Sequence, residues 1–159
     1  MAVMLVPMTA AEFAAWLPIA IRDYAADNVA IDRWAPQEAE ANAAAEFHDL
    51  LPAGVATPDH HLFTIRDAAT GATVGMIWFA VVGTAPRQYA FVYDFMVYEA
   101  FRRRGYGAQA FTALEQEVRA RGLHRIGLHV FGNNAPARAL YQKLGYRETS
   151  VNMLKDLPD

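Results

Sequence analysis

One segment constrains the chain more than any other. Residues 94–107 read Asp-Phe-Met-Val-Tyr-Glu-Ala-Phe-Arg-Arg-Arg-Gly-Tyr-Gly. An apolar strand breaks there into a basic, glycine-bearing turn. An amphipathic helix follows to about Arg121, with Ala110, Phe111, Leu114 and Val118 on one face. A turn of this kind aims several backbone N–H groups at one point, with the positive end of a helix dipole behind them. It is an anion site whose geometry suits a pyrophosphate, unless it is only a solvated basic turn. Gly105 and Gly107 let the backbone turn tightly and approach a ligand. Arg102, Arg103 and Arg104 add mobile positive charge. The spacing lacks the Lys-Ser/Thr end of a P-loop, and Ala110 stands where a dinucleotide fingerprint has its third glycine. Nucleoside triphosphates and NAD are therefore poor fits.

Composition narrows the rest. A chain of 159 residues is expected to form one domain over residues 1–159 and to fold without staples. It has no cysteine, which excludes disulfides, thiolate metal sites and a cysteine nucleophile, and no metal is expected. The net charge of −3 argues against bulk nucleic-acid binding and suits a cationic small molecule. No run approaches the roughly 20 apolar residues of a membrane span. The apolar start lacks a basic leader segment. No membrane partner is expected, and a soluble, cytoplasmic protein is the default.

The periodicity predicts β, α, α, β, β, β, α, β, α, β. Val3–Met8 is a strand. Thr9 and Glu12 have the capping-box spacing for a helix carrying Phe13, Trp16, Leu17, Ala20 and Tyr24, which Pro18 should kink or break. Pro36 opens a second helix to Leu51. Strands follow at His61–Arg66, Thr73–Val82 (Gly75 marking a bulge) and Gln88–Tyr98, the last buried on both faces. Arg125–Phe131 is a strand, Asn133 or Asn134 caps a helix to about Leu144, and Tyr146–Leu154 is a final strand. This is a mixed α/β domain.

A second motif, Asn133-Asn134-Ala135-Pro136-Ala137-Arg138-Ala139-Leu140-Tyr141-Gln142-Lys143-Leu144-Gly145-Tyr146, puts Asn134, Ala137 and Tyr141 on one helix face. Alone, it reads equally as a capped helix packing a tyrosine. Paired with Arg-x-x-Gly-x-Gly upstream, it resembles the GNAT superfamily of acetyl-CoA-dependent N-acetyltransferases over about Leu62 to Leu154. The resemblance implies an α/β fold of α+β type. Its central sheet would be mixed but mostly antiparallel, with about six or seven strands and about four flanking helices, splayed between the fourth and fifth strands. Acetyl-CoA would lie in that cleft, with no metal. Its pantetheine arm would pair with Phe95, Met96 and Val97. Its pyrophosphate would sit on the amides of Arg102, Arg103, Arg104, Gly105, Tyr106, Gly107 and Ala108. Asn134 and Ala137 would line the arm, and Tyr141 would protonate the leaving thiolate.

The implied reaction is direct attack of a primary amine on the thioester through a tetrahedral intermediate. A small-molecule acceptor is expected. A protein or peptide acceptor, or a non-catalytic acyl-CoA-binding module, are the alternatives, and a homodimer is compatible with the family. Several family members carry a glutamate where this chain has Tyr93. Alternation along a strand would send the adjacent Asp94 to the opposite face. No carboxylate of this strand is therefore expected to take the amine proton directly: a water chain near Tyr93 is the candidate route, and Asp94, the other candidate position, reads first as a structural hydrogen-bond partner. His60, His61 or the first helices are further sources of a base, while His124 and His129 read as surface and sheet residues. Tyr24, Asp27, Asp32 and Trp34 form an acidic, aromatic stretch that either holds a cationic amine or merely ends a helix. Trp16 and Trp78 read as core.

Overall fold

The computed structural model describes residues 2–159. They divide into two compact units, residues 2–129 and 130–159. The first opens with β1 (Val3–Pro7), α1 (Ala10–Ala30) and α2 (Pro36–Leu50). It continues through β2 (His60–Asp67), β3 (Thr73–Val82), β4 (Tyr89–Val97), α3 (Tyr106–Ala120) and β5 (Ile126–Leu128). The strands form one sheet in the order β1-β2-β3-β4-β5. The first four are antiparallel neighbours and β4–β5 is parallel.

Local chemistry explains the helices. Thr9 and Glu12 close the expected box: Thr9 N–H donates to Glu12 Oε1 (3.0 Å) and Glu12 N–H to Thr9 Oγ1 (3.1 Å). Pro18 does not break α1. It is exposed, and so is Ala14, whose carbonyl loses its helical donor and faces the solvent side. Pro36 occupies the first turn of α2, where its missing N–H costs nothing. Glu38 accepts from Ala35 N–H at 3.0 Å.

Two helical layers sandwich the sheet. Trp16 and Ala20 of α1 and Phe47 of α2 pack with Leu62, Met76 and Trp78 on one face. Burying each large apolar side chain there contributes roughly 1.5–3 kcal/mol. On the other face Phe111 of α3 meets Phe95 at 4.8 Å. The predicted apolar face of α3 is buried throughout: Ala110, Phe111, Leu114 and Val118.

Gly75 has a definite cause. A Cβ there would lie 2.0 Å from the carbonyl oxygen of Met96, so only glycine lets β3 approach β4. The irregularity sits beside it, where Ile65 pairs with Gly75 and Arg66 with Thr73, which leaves Val74 as the extra residue.

The second unit holds α4 (Ala135–Lys143). Asn134 caps it, accepting from Ala137 N–H at 3.2 Å. Arg138 bonds Gly132 O (3.2 Å) and Glu148 Oε1 (2.7 Å). The sheet therefore has five strands, not six or seven. The expected strand Tyr146–Leu154 does not form. A strand needs a neighbour's ladder, and among the described residues none pairs with this segment. Its apolar residues Val151, Met153 and Leu154 are exposed.

Candidate active site

The fourth strand changes character halfway. Ala90, Phe91 and Val92 pair with Ile126, Gly127 and Leu128 of β5. From Tyr93 to Val97, among the described residues, no strand covers that side, while pairing with β3 continues to Gly75↔Val97. The sheet parts between its fourth and fifth strands, as expected, and the edge left without a strand partner includes Phe95, Met96 and Val97. This half of β4 is not wholly buried, and Tyr93 is 36% exposed.

A bulge sits where the pairing changes. Trp78 pairs with Asp94 and Phe79 with Val92, so Tyr93 is an extra residue with no partner opposite. This overturns the alternation expected for Tyr93 and Asp94. Trp78 belongs to the α1–α2 face, and Asp94, paired with it, faces the same helices. The Tyr93 ring stacks on Trp78 at 4.9 Å and meets Phe91 at 4.9 Å and His60 at 5.8 Å. Both side chains thus lie on one face.

Asp94 is held in a demanding environment. Its Oδ1 accepts from Phe95 N–H at 2.9 Å. Burial chiefly, and also the carboxylates of Asp23 and Asp27, push its carboxyl up from 3.8 to about 6. The buried indole N–H of Trp16 lies near enough to favour the ionised form, yet forms no hydrogen bond. Burial also raises the Tyr93 phenol. His60 Nδ1 accepts from Trp78 Nε1 at 3.0 Å. That bond occupies the lone pair of a neutral imidazole and places its proton on Nε2, so His60 is poorly arranged as a base. Burial lowers His60 and His61 alike. The His61 ring meets Phe79 at 5.0 Å, on the α3 face, away from Asp94.

The turn beyond β4 has two residues with left-handed backbone, Arg103 (φ 61°) and Gly105 (φ 84°). The Arg102 amide is engaged with Glu99 O at 3.3 Å, and its Nε donates to Val97 O at 2.9 Å. Arg102 thus fastens the strand end; its amide is not presented with the others. Among the described residues, no hydrogen-bond acceptor takes the amides from Arg103 to Ala108. The first intrahelical bond of α3 starts at Gln109 N–H, to Gly105 O at 3.2 Å. The side chain of Tyr106 turns inward: its hydroxyl donates to Asp67 Oδ2 at 2.5 Å. Asp67 in turn accepts from Ala69 and Thr70 N–H (2.7 and 3.0 Å), so the β2–β3 turn anchors the start of α3.

The acidic, aromatic stretch proves largely structural. Arg33 lies over Trp34 at 4.5 Å, where a ligand cation was conceivable. It also donates to Tyr24 Oη and Asn28 Oδ1 (3.1 Å each) and to Glu46 Oε1 (2.7 Å). Burial chiefly, and the Asp23 carboxylate beside it, raise the Asp27 carboxyl. Trp16 lies in the core, as expected. In the second unit, Tyr141 packs against Tyr146 with ring centres 5.7 Å apart. The acceptor oxygen of Asn134 is occupied by its capping bond.

Comparison with known proteins agrees with this geometry. Residues 21–146 match the model of the acetyltransferase (GNAT) family. The uncharacterized N-acetyltransferase YycN of Bacillus subtilis is 40% identical over 157 residues, which cover 99% of this chain and all of YycN. YdgE of the same organism, also an uncharacterized N-acetyltransferase, is 33% identical over 99% of both chains. The crystal structure of YycN superposes with a TM-score of 0.94 at 39% identity, over 99% of this chain and 100% of that one. A parted sheet, a turn with unengaged amides and full-length similarity of this order converge on one conclusion: the chain belongs to the GNAT family of acetyltransferases.

Proposed function

We propose that this acetyltransferase moves an acetyl group from acetyl-CoA to a primary amine of a small molecule. The residues present fit acetyl-CoA. The amides of Arg103 to Ala108 need acceptors, the exposed Arg103 and Arg104 supply charge, and the β4 edge from Tyr93 to Val97 has backbone to offer an extended arm. When bound, the co-substrate supplies an acetyl thioester, and the chain's task is to steer protons around it.

The observation that carries the reading is the bulge at Tyr93, which turns Asp94 onto the face of α1 and α2. An ammonium ion is no nucleophile. Asp94, ionised above its value of about 6, takes the proton from the incoming amine. Tyr93 borders the same space and orders the water or the amine beside Asp94. Tyr141 is assigned the acid that meets the leaving sulfur; its support is the sequence pattern shared with the family. Asn134 and Ala137 rest on that pattern too.

The test is release of CoA thiol from acetyl-CoA in the presence of a panel of primary amines, followed by mass measurement of the product. Acetylated amine, with kcat lowered in both Asp94→Asn and Tyr141→Phe, is expected. Tight acetyl-CoA binding without turnover of any amine would instead favour a binding module.

A further inference from the structure

Asp67, the last residue of β2, is only 6% exposed, yet its carboxylate meets no cation. Among the described residues, the ion pairs join Arg33 to Glu46, Arg66 to Glu12, Arg121 to Glu117 and Arg138 to Glu148. A buried charge of this kind is costly unless hydrogen bonds replace the lost water. Asp67 has three. Its Oδ1 accepts from the amides of Ala69 and Thr70, and its Oδ2 from the Tyr106 hydroxyl. The first two belong to the β2–β3 turn, which the backbone also closes without them. Gly71 N–H donates to Asp67 O at 2.8 Å, and Asp67 N–H to Ala72 O at 2.9 Å. The turn does not need the third bond. That bond serves its other end, Tyr106, 39 residues along the chain.

Tyr106 is the first residue of α3 and is likewise 6% exposed. Phe101 meets its ring edge-on at 6.1 Å, so packing already favours an inward ring, and the hydroxyl adds a fixed direction. Within a helix, the directions of the side chain and of the amides are rigidly linked. Pinning the far end of this long side chain at 2.5 Å fixes the rotation of the first turn. It thereby fixes where the amides of Tyr106, Gly107 and Ala108 point.

The residues just before it need holding. Arg103 has φ 61°, a left-handed conformation that disfavours any residue with a Cβ, and Gly105 has φ 84°. Such a backbone persists only where its surroundings impose it. Two fasteners flank it. Arg102 Nε donates to Val97 O at 2.9 Å on the strand side, and Tyr106 is tied to Asp67 on the helix side. Between and just beyond them lie the amides of Arg103 to Ala108, which no acceptor among the described residues takes.

We propose that Asp67 and Tyr106 are positioning residues for the co-substrate: their bond keeps the amides of this turn aimed at the diphosphate of acetyl-CoA before it arrives. The inference rests on the acetyl-CoA reading above and extends it to a carboxylate on the β2–β3 turn. Both side chains act through the backbone, from the buried side of the turn. Donors held ready in this way bind more tightly, because little ordering is left for the binding step.

The test joins two measurements. One is CoA binding by calorimetry, which needs no acceptor amine. The other is the ratio of kcat/KM for acetyl-CoA to that for acetyl-pantetheine, which carries no phosphate. Tyr106→Phe keeps the ring and removes the bond. It should weaken CoA binding by about fivefold or more, with one site per chain retained, and lower the ratio by a similar factor. Asp67→Asn keeps an acceptor for the turn and loses the charge, so it should move both readouts in the same direction. The double variant should lose no more than the worse single one, since one bond carries the effect. A merely structural role gives fewer folded sites at unchanged affinity, or equal losses with both thioesters; either result overturns the inference. Wild-type affinity in Tyr106→Phe overturns it, and so do losses that add in the double variant. If Tyr106→Phe does not fold, Asp67→Asn decides by the same readouts. CoA binding that the variants weaken, without acetylation of any amine, supports the pair's role and refutes the transfer reading. Absence of CoA binding by the wild type overturns both.

Discussion

The two halves of β4 have the same length scale and similar residues but opposite jobs. Tyr89–Val92 runs between two partner strands, and Ala90 and Val92 are buried. Tyr93–Val97 keeps β3, has no strand on the other side among the described residues, and begins with an extra residue. In the first half Ala90, Phe91 and Val92 are paired on both sides. In the second, a partly buried carboxylate and an uncovered edge persist because the first half and β3 hold the strand in place. The contrast teaches that one inserted residue converts a structural strand into a chemical one. It re-aims a side chain at the point where pairing ceases.

The largest effect should come from the side chain that the bulge exposes. Asp94→Asn keeps the acceptor for Phe95 N–H and removes the base, so kcat on the best amine should fall by roughly a hundred- to a thousandfold. Steady-state thiol release checks this. A fall of less than threefold would take the proton-transfer role away from Asp94.

Breaking the other side of the same half is a matter of stability. Gly75→Val would place a Cβ against the Met96 carbonyl. We expect a loss on the order of 3 kcal/mol or more, read from denaturant melts. The same change at Gly71, where nothing lies within 4 Å but φ is 73°, should cost about 1–2 kcal/mol from backbone strain alone.

Asp94 also links stability to pH, in an unusual direction for an acid. Its value is raised in the folded chain, from 3.8 to about 6. The native state thus binds this proton more tightly than the unfolded one. The resulting stabilisation is complete below about pH 4 and is lost as pH rises through 6. Comparing wild type with Asp94→Asn across that window should reveal a difference on the order of 3 kcal/mol at most. At pH 8 the inactive variant should be the more stable protein. A pH-independent difference would mean that Asp94 is not strained as described.

The smallest effect belongs to the turn. Gly105→Ala meets no neighbouring atom but keeps φ at 84°, so the cost should be about 1 kcal/mol. Acetyl-CoA binding by calorimetry should weaken several-fold as the amides lose their common aim.

Much of this was legible in the sequence because it is local. The box at Thr9 and Glu12, the cap at Asn134, the apolar face of α3 and the strand–turn–helix at residues 94–107 are all set by neighbours within four or five positions. What could not be read depends on partners far along the chain. The bulge exists only in the register between β3 and β4, so alternation put Asp94 on the wrong face. Arg33 claims Trp34 through a fold-back with Glu46 that spacing does not reveal. The inward turn of Tyr106 requires Asp67, 39 residues away. Tyr146–Leu154 has strand composition but, among the described residues, no neighbour pairs with it to make it a strand.

The most direct test of the account is the pH dependence of kcat/KM for the preferred amine. Wild type should rise with unit slope through a midpoint near 6 as Asp94 ionises. In Asp94→Asn that limb should vanish along with most of the rate. A limb that persists unchanged in the variant, at undiminished rate, would contradict the claim that the bulge of β4 presents the base.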